Sequence, residues 1–146
     1  MPEINPPKAV VKKRFDFSAE RIFDAWLDPA MIGQWMFGPS VRDEEVVRLS
    51  VDARVGGAFS FVVRRKGEEI DHGGRYAEIR RPERLSFTWG IAGDFGEESA
   101  VYIDIKPLGK ACELTLVHEL HPNWADYARL TEAAWGRMLD VLAAQL

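Results

Sequence analysis

The sequence predicts an α+β domain in which a curved, seven-stranded antiparallel sheet wraps around one long C-terminal helix. From residue 43 to 119, short segments rich in β-branched and aromatic residues alternate with turn signals such as Val55-Gly56-Gly57, Lys66-Gly67 and Leu108-Gly109. The links are too short for parallel crossovers, which need about a dozen residues or more, so neighbouring strands run antiparallel. After His121-Pro122 the apolar period changes from 2 to 3.6.

The first element begins after a proline-rich start. Pro2, Pro6 and Pro7 keep residues 1–7 out of regular structure, and they are read as a flexible arm ahead of a single domain over residues 8–146. In the run Lys8 to Phe17, Val11, Phe15 and Phe17 share one parity and Lys12, Arg14 and Asp16 the other, which is a strand with one buried face. Ser18 stops it and can cap a helix whose stripe is Ile22, Phe23, Trp26 and Leu27. Asp28-Pro29 supplies the cap and first position of a second short helix, which Gly38-Pro39 ends.

Six strands follow, near 43–51, 57–65, 70–79, 84–90, 99–107 and 111–119. Gly73-Gly74 invites a bulge in the fourth strand of the chain. Asn123 is the expected cap of the long helix, with Thr131, Ala134, Trp135, Met138, Val141, Leu142 and Gln145 on its apolar stripe. About 22 residues give a helix of roughly 33 Å, which must bury that stripe against the sheet. A sheet curled around it leaves room for a cavity between the two.

Composition narrows the class. At 146 residues with 47% apolar and 29% charged residues, the chain is neither disordered nor fibrous. Its net charge of -4 argues against a nucleic-acid binder, which would present a basic surface. The one cysteine, Cys112, forms no internal disulfide and is expected on an outer strand. No apolar run reaches the ~18 residues of a membrane span, and the start lacks a signal core, so a cytoplasmic protein is expected. Neither a phosphate-cradling glycine loop nor a nucleophile motif is present, and no cofactor is expected.

The stretch Phe17-Ser18-Ala19-Glu20-Arg21-Ile22-Phe23-Asp24-Ala25-Trp26-Leu27-Asp28-Pro29, followed by Trp35, resembles the entry motif of the helix-grip (SRPBCC) superfamily. That group includes the START lipid-transfer domains, plant pathogenesis and hormone-receptor proteins, and polyketide cyclases. Asp52-Ala53-Arg54-Val55-Gly56-Gly57-Ala58-Phe59, Pro82 to Trp89, Leu114 to His118 and Ala134-Trp135 are similar to the branch named after the activator of the heat-shock-chaperone ATPase. The resemblance runs from Lys8 onward and implies the helix-grip fold. Many relatives have Gly-Trp in the last helix, where this chain has Ala134-Trp135 with Gly136 one place later. The eukaryotic activators carry an additional N-terminal domain with no counterpart in these residues.

Strand parity selects the candidate site. Phe59, Phe61 and Val63 point inward, as do Leu85, Phe87 and Trp89, and Leu114, Leu116 and His118. Plain core packing is the competing reading for the phenylalanines and leucines. Trp89 and Trp135 carry indole N–H groups that seek partners, and His118 carries an imidazole able to bond a ligand, serve as a base, or bond a backbone carbonyl. Trp35 to Phe37 either border the cavity mouth or plug the core. His72 and Tyr76 depend on the bulge. In His118-Glu119-Leu120-His121 the histidines fall on opposite faces of a strand, so a metal site is not expected. Asp94, Glu97 and Glu98 read as a solvent loop, and Arg64, Arg65, Lys66, Glu68 and Glu69 as an exposed hairpin tip.

The resulting expectation is binding of an apolar or aromatic small molecule between sheet and helix, with Trp35, Phe61, Trp89, His118 and Trp135 lining the pocket. Two alternatives stand beside it: a cyclase- or hydratase-like enzyme using His118 as base, and a co-chaperone-like activator of a chaperone ATPase. No nucleic-acid or membrane partner is expected, and a homodimer through an exposed sheet edge or Trp124 is open.

Overall fold

The computed structural model describes residues 7–91 and 99–146. Asp94, Glu97 and Glu98, and the expected arm apart from Pro7, lie outside the described residues. Strand β1 (Lys8–Phe15) leads into α1 (Ala19–Ala25) and α2 (Pro29–Trp35). Then come β2 (Glu45–Val51), β3 (Ala58–Arg65), β4 (Glu68–Arg80), β5 (Arg84–Ile91), β6 (Ser99–Leu108) and β7 (Ala111–Glu119). A 3-10 segment (Pro122–Tyr127) precedes α3 (Ala128–Gln145). The seven strands form one antiparallel sheet in the order β1-β7-β6-β5-β4-β3-β2, the helix-grip arrangement.

Both early caps form as the sequence predicts. Ser18 Oγ accepts from the Arg21 N–H at 3.3 Å and Asp28 Oδ1 from the Ala30 N–H at 3.0 Å, each satisfying a donor that the first helical turn cannot. The β3–β4 hairpin closes on Lys66 and Gly67, with φ of 53° and 81°, the two-residue turn whose twist matches the strands.

Four details differ from the sequence reading. Cys112 is buried on β7, an interior strand, because the chain's first strand completes the sheet beside its last. The bulge in β4 falls between Tyr76 and Glu78, on the β5 side, while Gly73 and Gly74 stay in register with β3. Gly74 is required for a different reason: the Thr88 carbonyl of β5 occupies the space a Cβ would take. The long helix starts later than Asn123. His121 caps the 3-10 segment by accepting the Asn123 N–H at 3.1 Å, and α3 itself spans 18 residues. On α3, Leu139 is fully buried, whereas Ala134 and Gln145 are exposed.

The core divides into a packed end and an open end. Trp26 is the hub of the packed end, its ring 4.6 Å from Trp35, 6.3 Å from Phe87 and 5.7 Å from Trp135 between centroids. Burying each such side chain contributes about 1.5–3 kcal/mol. A void of about 10 Å³ between Trp26, Phe61, Tyr76 and Phe87 is the space left there, barely the size of one water.

Candidate functional site

At the other end, the sheet and the first half of α3 diverge into an open cleft. It has two adjoining lobes of about 320 and 500 Å³ that share Arg65, Trp89, His118, Tyr127, Thr131 and Ala134 as walls. The divergence has a sequence origin. Ala134 is small and lines both lobes, whereas the buried face of α3 begins at Trp135 and continues through Met138, Leu139 and Leu142.

Of the five residues singled out by sequence, three meet here. Trp89, His118 and Trp135 line both the tryptophan-rich wall and its polar seam; the two indoles stand 5.6 Å apart. Trp35 and Phe61 lie elsewhere. Trp35 is fully buried in the packed end with its indole N–H given to the Ala25 carbonyl at 3.0 Å, and Phe61 borders the small void. Of the segment before Gly38-Pro39, only Phe37 reaches the cleft, stacked nearly parallel to Trp89 at 6.3 Å.

His118 is held by a directional chain. The Trp135 indole N–H donates to His118 Nδ1 at 3.0 Å. An indole nitrogen can only donate, so Nδ1 is an acceptor and the imidazole proton sits on Nε2. Nε2–H donates to Ser99 Oγ at 2.7 Å, and the Ser99 hydroxyl donates to the Trp89 carbonyl at 3.0 Å. Burial pushes the His118 pKa down to about 4, so the ring is neutral at pH 7. The lone pair that a general base needs is therefore already taken by Trp135.

Sequence reasoning missed the cleft's charged end. Glu44, just before β2, has a side chain with 0% exposure and accepts four bonds. Oε2 takes the Gly38 N–H at 2.8 Å and Arg42 Nη1 at 3.0 Å; Oε1 takes Arg65 Nε at 3.1 Å and Nη2 at 2.6 Å. Arg65 is thus not part of an exposed hairpin tip but a half-buried wall of both lobes. A signal for this existed: Arg65 continues the inward parity of Phe59, Phe61 and Val63. His72 was also legible in principle. It lies opposite Phe61 in the β3–β4 register, faces inward, and contacts the Phe61 carbonyl through Nδ1 at 3.3 Å. Desolvation brings its pKa down to about 4 as well.

His121 lines the outer lobe and caps a turn, apart from the buried His118. Among the described residues no three His, Cys, Asp or Glu side chains converge as a metal-ligand set. No helix among them is long and apolar enough to cross a membrane.

A curved sheet gripping a terminal helix, with an open aromatic cleft between them, defines a helix-grip protein. More specifically, the sequence pattern of the family described as "Activator of Hsp90 ATPase homolog 1-like protein" matches residues 16–146, and the chain belongs to that family. Among solved structures, a Chromobacterium violaceum protein is similar at 28% identity, covering 94% of this chain and 95% of its own, with a TM-score of 0.78. A Rhodobacter sphaeroides protein reaches a TM-score of 0.82 at 19% identity, over 98% of this chain and 95% of that one. An HSP90 activator from Plasmodium falciparum shares the fold at a TM-score of 0.62 and 19% identity, over 80% of this chain and 74% of its own. Among curated proteins, none matches the chain.

Proposed function

We propose that the protein binds an apolar or aromatic small molecule in the cleft between the sheet and α3. The observation that supports this is the cleft itself: open lobes of about 320 and 500 Å³, walled by Trp89, Trp135 and Tyr127, in a protein whose opposite end is packed to a 10 Å³ void. His118, the Trp135 indole, Ser99 and the Trp89 carbonyl give the wall a fixed polar seam rather than a reactive centre. The test is a thermal-shift screen against aromatic, polyketide-like and fatty-acid ligands, repeated on Ala134→Trp. Ala134 is exposed on the cleft wall, so tryptophan there fills the site without disturbing the core. A ligand at 100 times its Kd adds about 2.7 kcal/mol, which raises Tm by roughly 5–15 °C. Shifts that persist unchanged in Ala134→Trp would place binding elsewhere.

The family match supports a second reading, stimulation of a chaperone ATPase. It is tested by adding the protein to a cognate Hsp90-type chaperone and measuring ATP turnover. No change at saturating protein removes this reading.

A further inference from the structure

We infer that the molecule taken up by the cleft carries a single negative charge of the carboxylate kind, seated against Arg65 and Arg42 while its ring lies along Phe37 and Trp89. This rests on the reading of the cleft as a ligand site and names the chemistry of that ligand.

The argument starts from charge. The protein is acidic overall, with a net charge of -4, yet neither lobe has an aspartate or glutamate among its described wall residues. Arg42 and Arg65 both line the inner lobe. They share one buried carboxylate, Glu44, so one positive charge is left over. Arg137 on α3 gives its Nε to the Val41 carbonyl at 2.8 Å and lines neither lobe, so the surplus at the wall stays at one. The histidines supply no alternative charge at neutral pH, because burial keeps both His72 and His118 neutral.

Donors are available as well as charge. Arg65 spends Nε and Nη2 on Glu44, and Arg42 spends Nη1 on Glu44 and the Met36 carbonyl. Arg65 Nη1 and Arg42 Nε and Nη2 make no hydrogen bond to the described residues. Glu44 holds both planar forks in place, so an incoming planar anion meets preset donors rather than mobile side chains.

The charged end is continuous with the aromatic wall. The Arg42 guanidinium lies 5.6 Å from the Phe37 ring centre, Phe37 stacks on Trp89 at 6.3 Å, and Trp89 meets Trp135 at 5.6 Å. A flat ring along this wall brings its acidic substituent to the arginines.

The test compares naphthalene-2-carboxylate with its neutral isostere naphthalene-2-carboxamide, measuring Kd by tryptophan fluorescence and calorimetry. Wild-type protein should prefer the carboxylate by about tenfold or more, the scale of a charge-assisted contact. Arg65→Met should abolish the preference and Arg65→Lys retain part of it. Glu44→Gln should enlarge it, because it removes the negative charge that offsets the two guanidiniums while keeping an acceptor for them; this variant gives an answer even where Arg65→Met fails to fold. Equal affinity for the two probes overturns the anion assignment and leaves the cleft reading standing. A carboxylate preference indifferent to Arg65→Met and Glu44→Gln also overturns it, since the anion then sits elsewhere. Binding of neither probe at millimolar concentration overturns both.

Discussion

Trp135 donates its indole N–H to His118 Nδ1 at 3.0 Å, tying the helix that is gripped to the last strand of the sheet that grips it. The bond sets the imidazole tautomer, and it makes Trp135 at once a core residue and a cleft wall. Replacing Trp135 by Phe keeps most of the ring but leaves the buried His118 Nδ1 without a donor. The expected cost is about 1–3 kcal/mol, and the His118 pKa should rise because protonation at Nδ1 is no longer opposed. Urea unfolding and an NMR titration of the ring check both; an unchanged titration would show that the indole does not control the tautomer.

Acid should weaken the fold through its two buried histidines. Both have pKa values near 4 when folded, against 6.5 in the unfolded chain, so between those values the unfolded state binds more protons. Stability is intact above pH 6.5 and falls as pH drops towards 4. From pH 7 to pH 5 each histidine should cost on the order of 2 kcal/mol. Asp24, whose pKa is lowered by its hydrogen bond to Arg81, contributes only at more acid pH. The check is the urea midpoint at both pH values, with a double His72→Gln, His118→Gln variant showing the shallower dependence.

Glu44 organises the charged end, and its removal should be costly. Glu44→Ala leaves two half-buried guanidiniums facing one another and strips the Gly38 N–H of its acceptor. A loss of about 3–5 kcal/mol is expected, whereas Glu44→Gln, which keeps an acceptor oxygen, should lose roughly half of that or less. Denaturant unfolding of the two variants side by side decides; equal losses would mean that shape rather than charge is what the site needs.

Two glycines should respond oppositely to alanine. At Gly74 the added Cβ meets the Thr88 carbonyl, part of the neighbouring strand's backbone, and the sheet must shift to admit it. At Gly136 it meets nothing within 4 Å, and alanine is better than glycine within a helix by about 1 kcal/mol. Gly74→Ala should therefore destabilise by more than ~2 kcal/mol and Gly136→Ala stabilise by up to ~1 kcal/mol, read as Tm. The open space at Gly136 also removes close packing as the reason for a glycine beside Trp135.

The legibility of each residue tracks the range of the interaction that positions it. Ser18 and Asp28 were readable as caps because the donor each satisfies lies two or three residues away. Phe59, Phe61, Trp89 and His118 were readable as inward because pleating alternates side chains whatever lies across the sheet. Asn123 suits a cap by residue type, but His121 takes that role in the turn, and the outcome depends on how β7 hands the chain to α3. Arg65 stands among Arg64, Lys66, Glu68 and Glu69 in sequence, and that charged company masks an inward parity shared with Phe59, Phe61 and Val63.

By itself, then, the sequence determined the order of the strands and α-helices, the antiparallel sheet, the inward faces and the two early caps, all of which follow from period and from contacts a few residues apart. Only the tertiary structure decided that Glu44 would meet Arg65 across β2 and β3, that Trp135 would spend its N–H on His118, and that Trp35 would be sealed into the packed end while Trp89 faces the cleft. Each of these is a choice among partners distant in sequence. Alternation names the face a side chain points to, but which groups meet there depends on how far the sheet curls and where the helix crosses it.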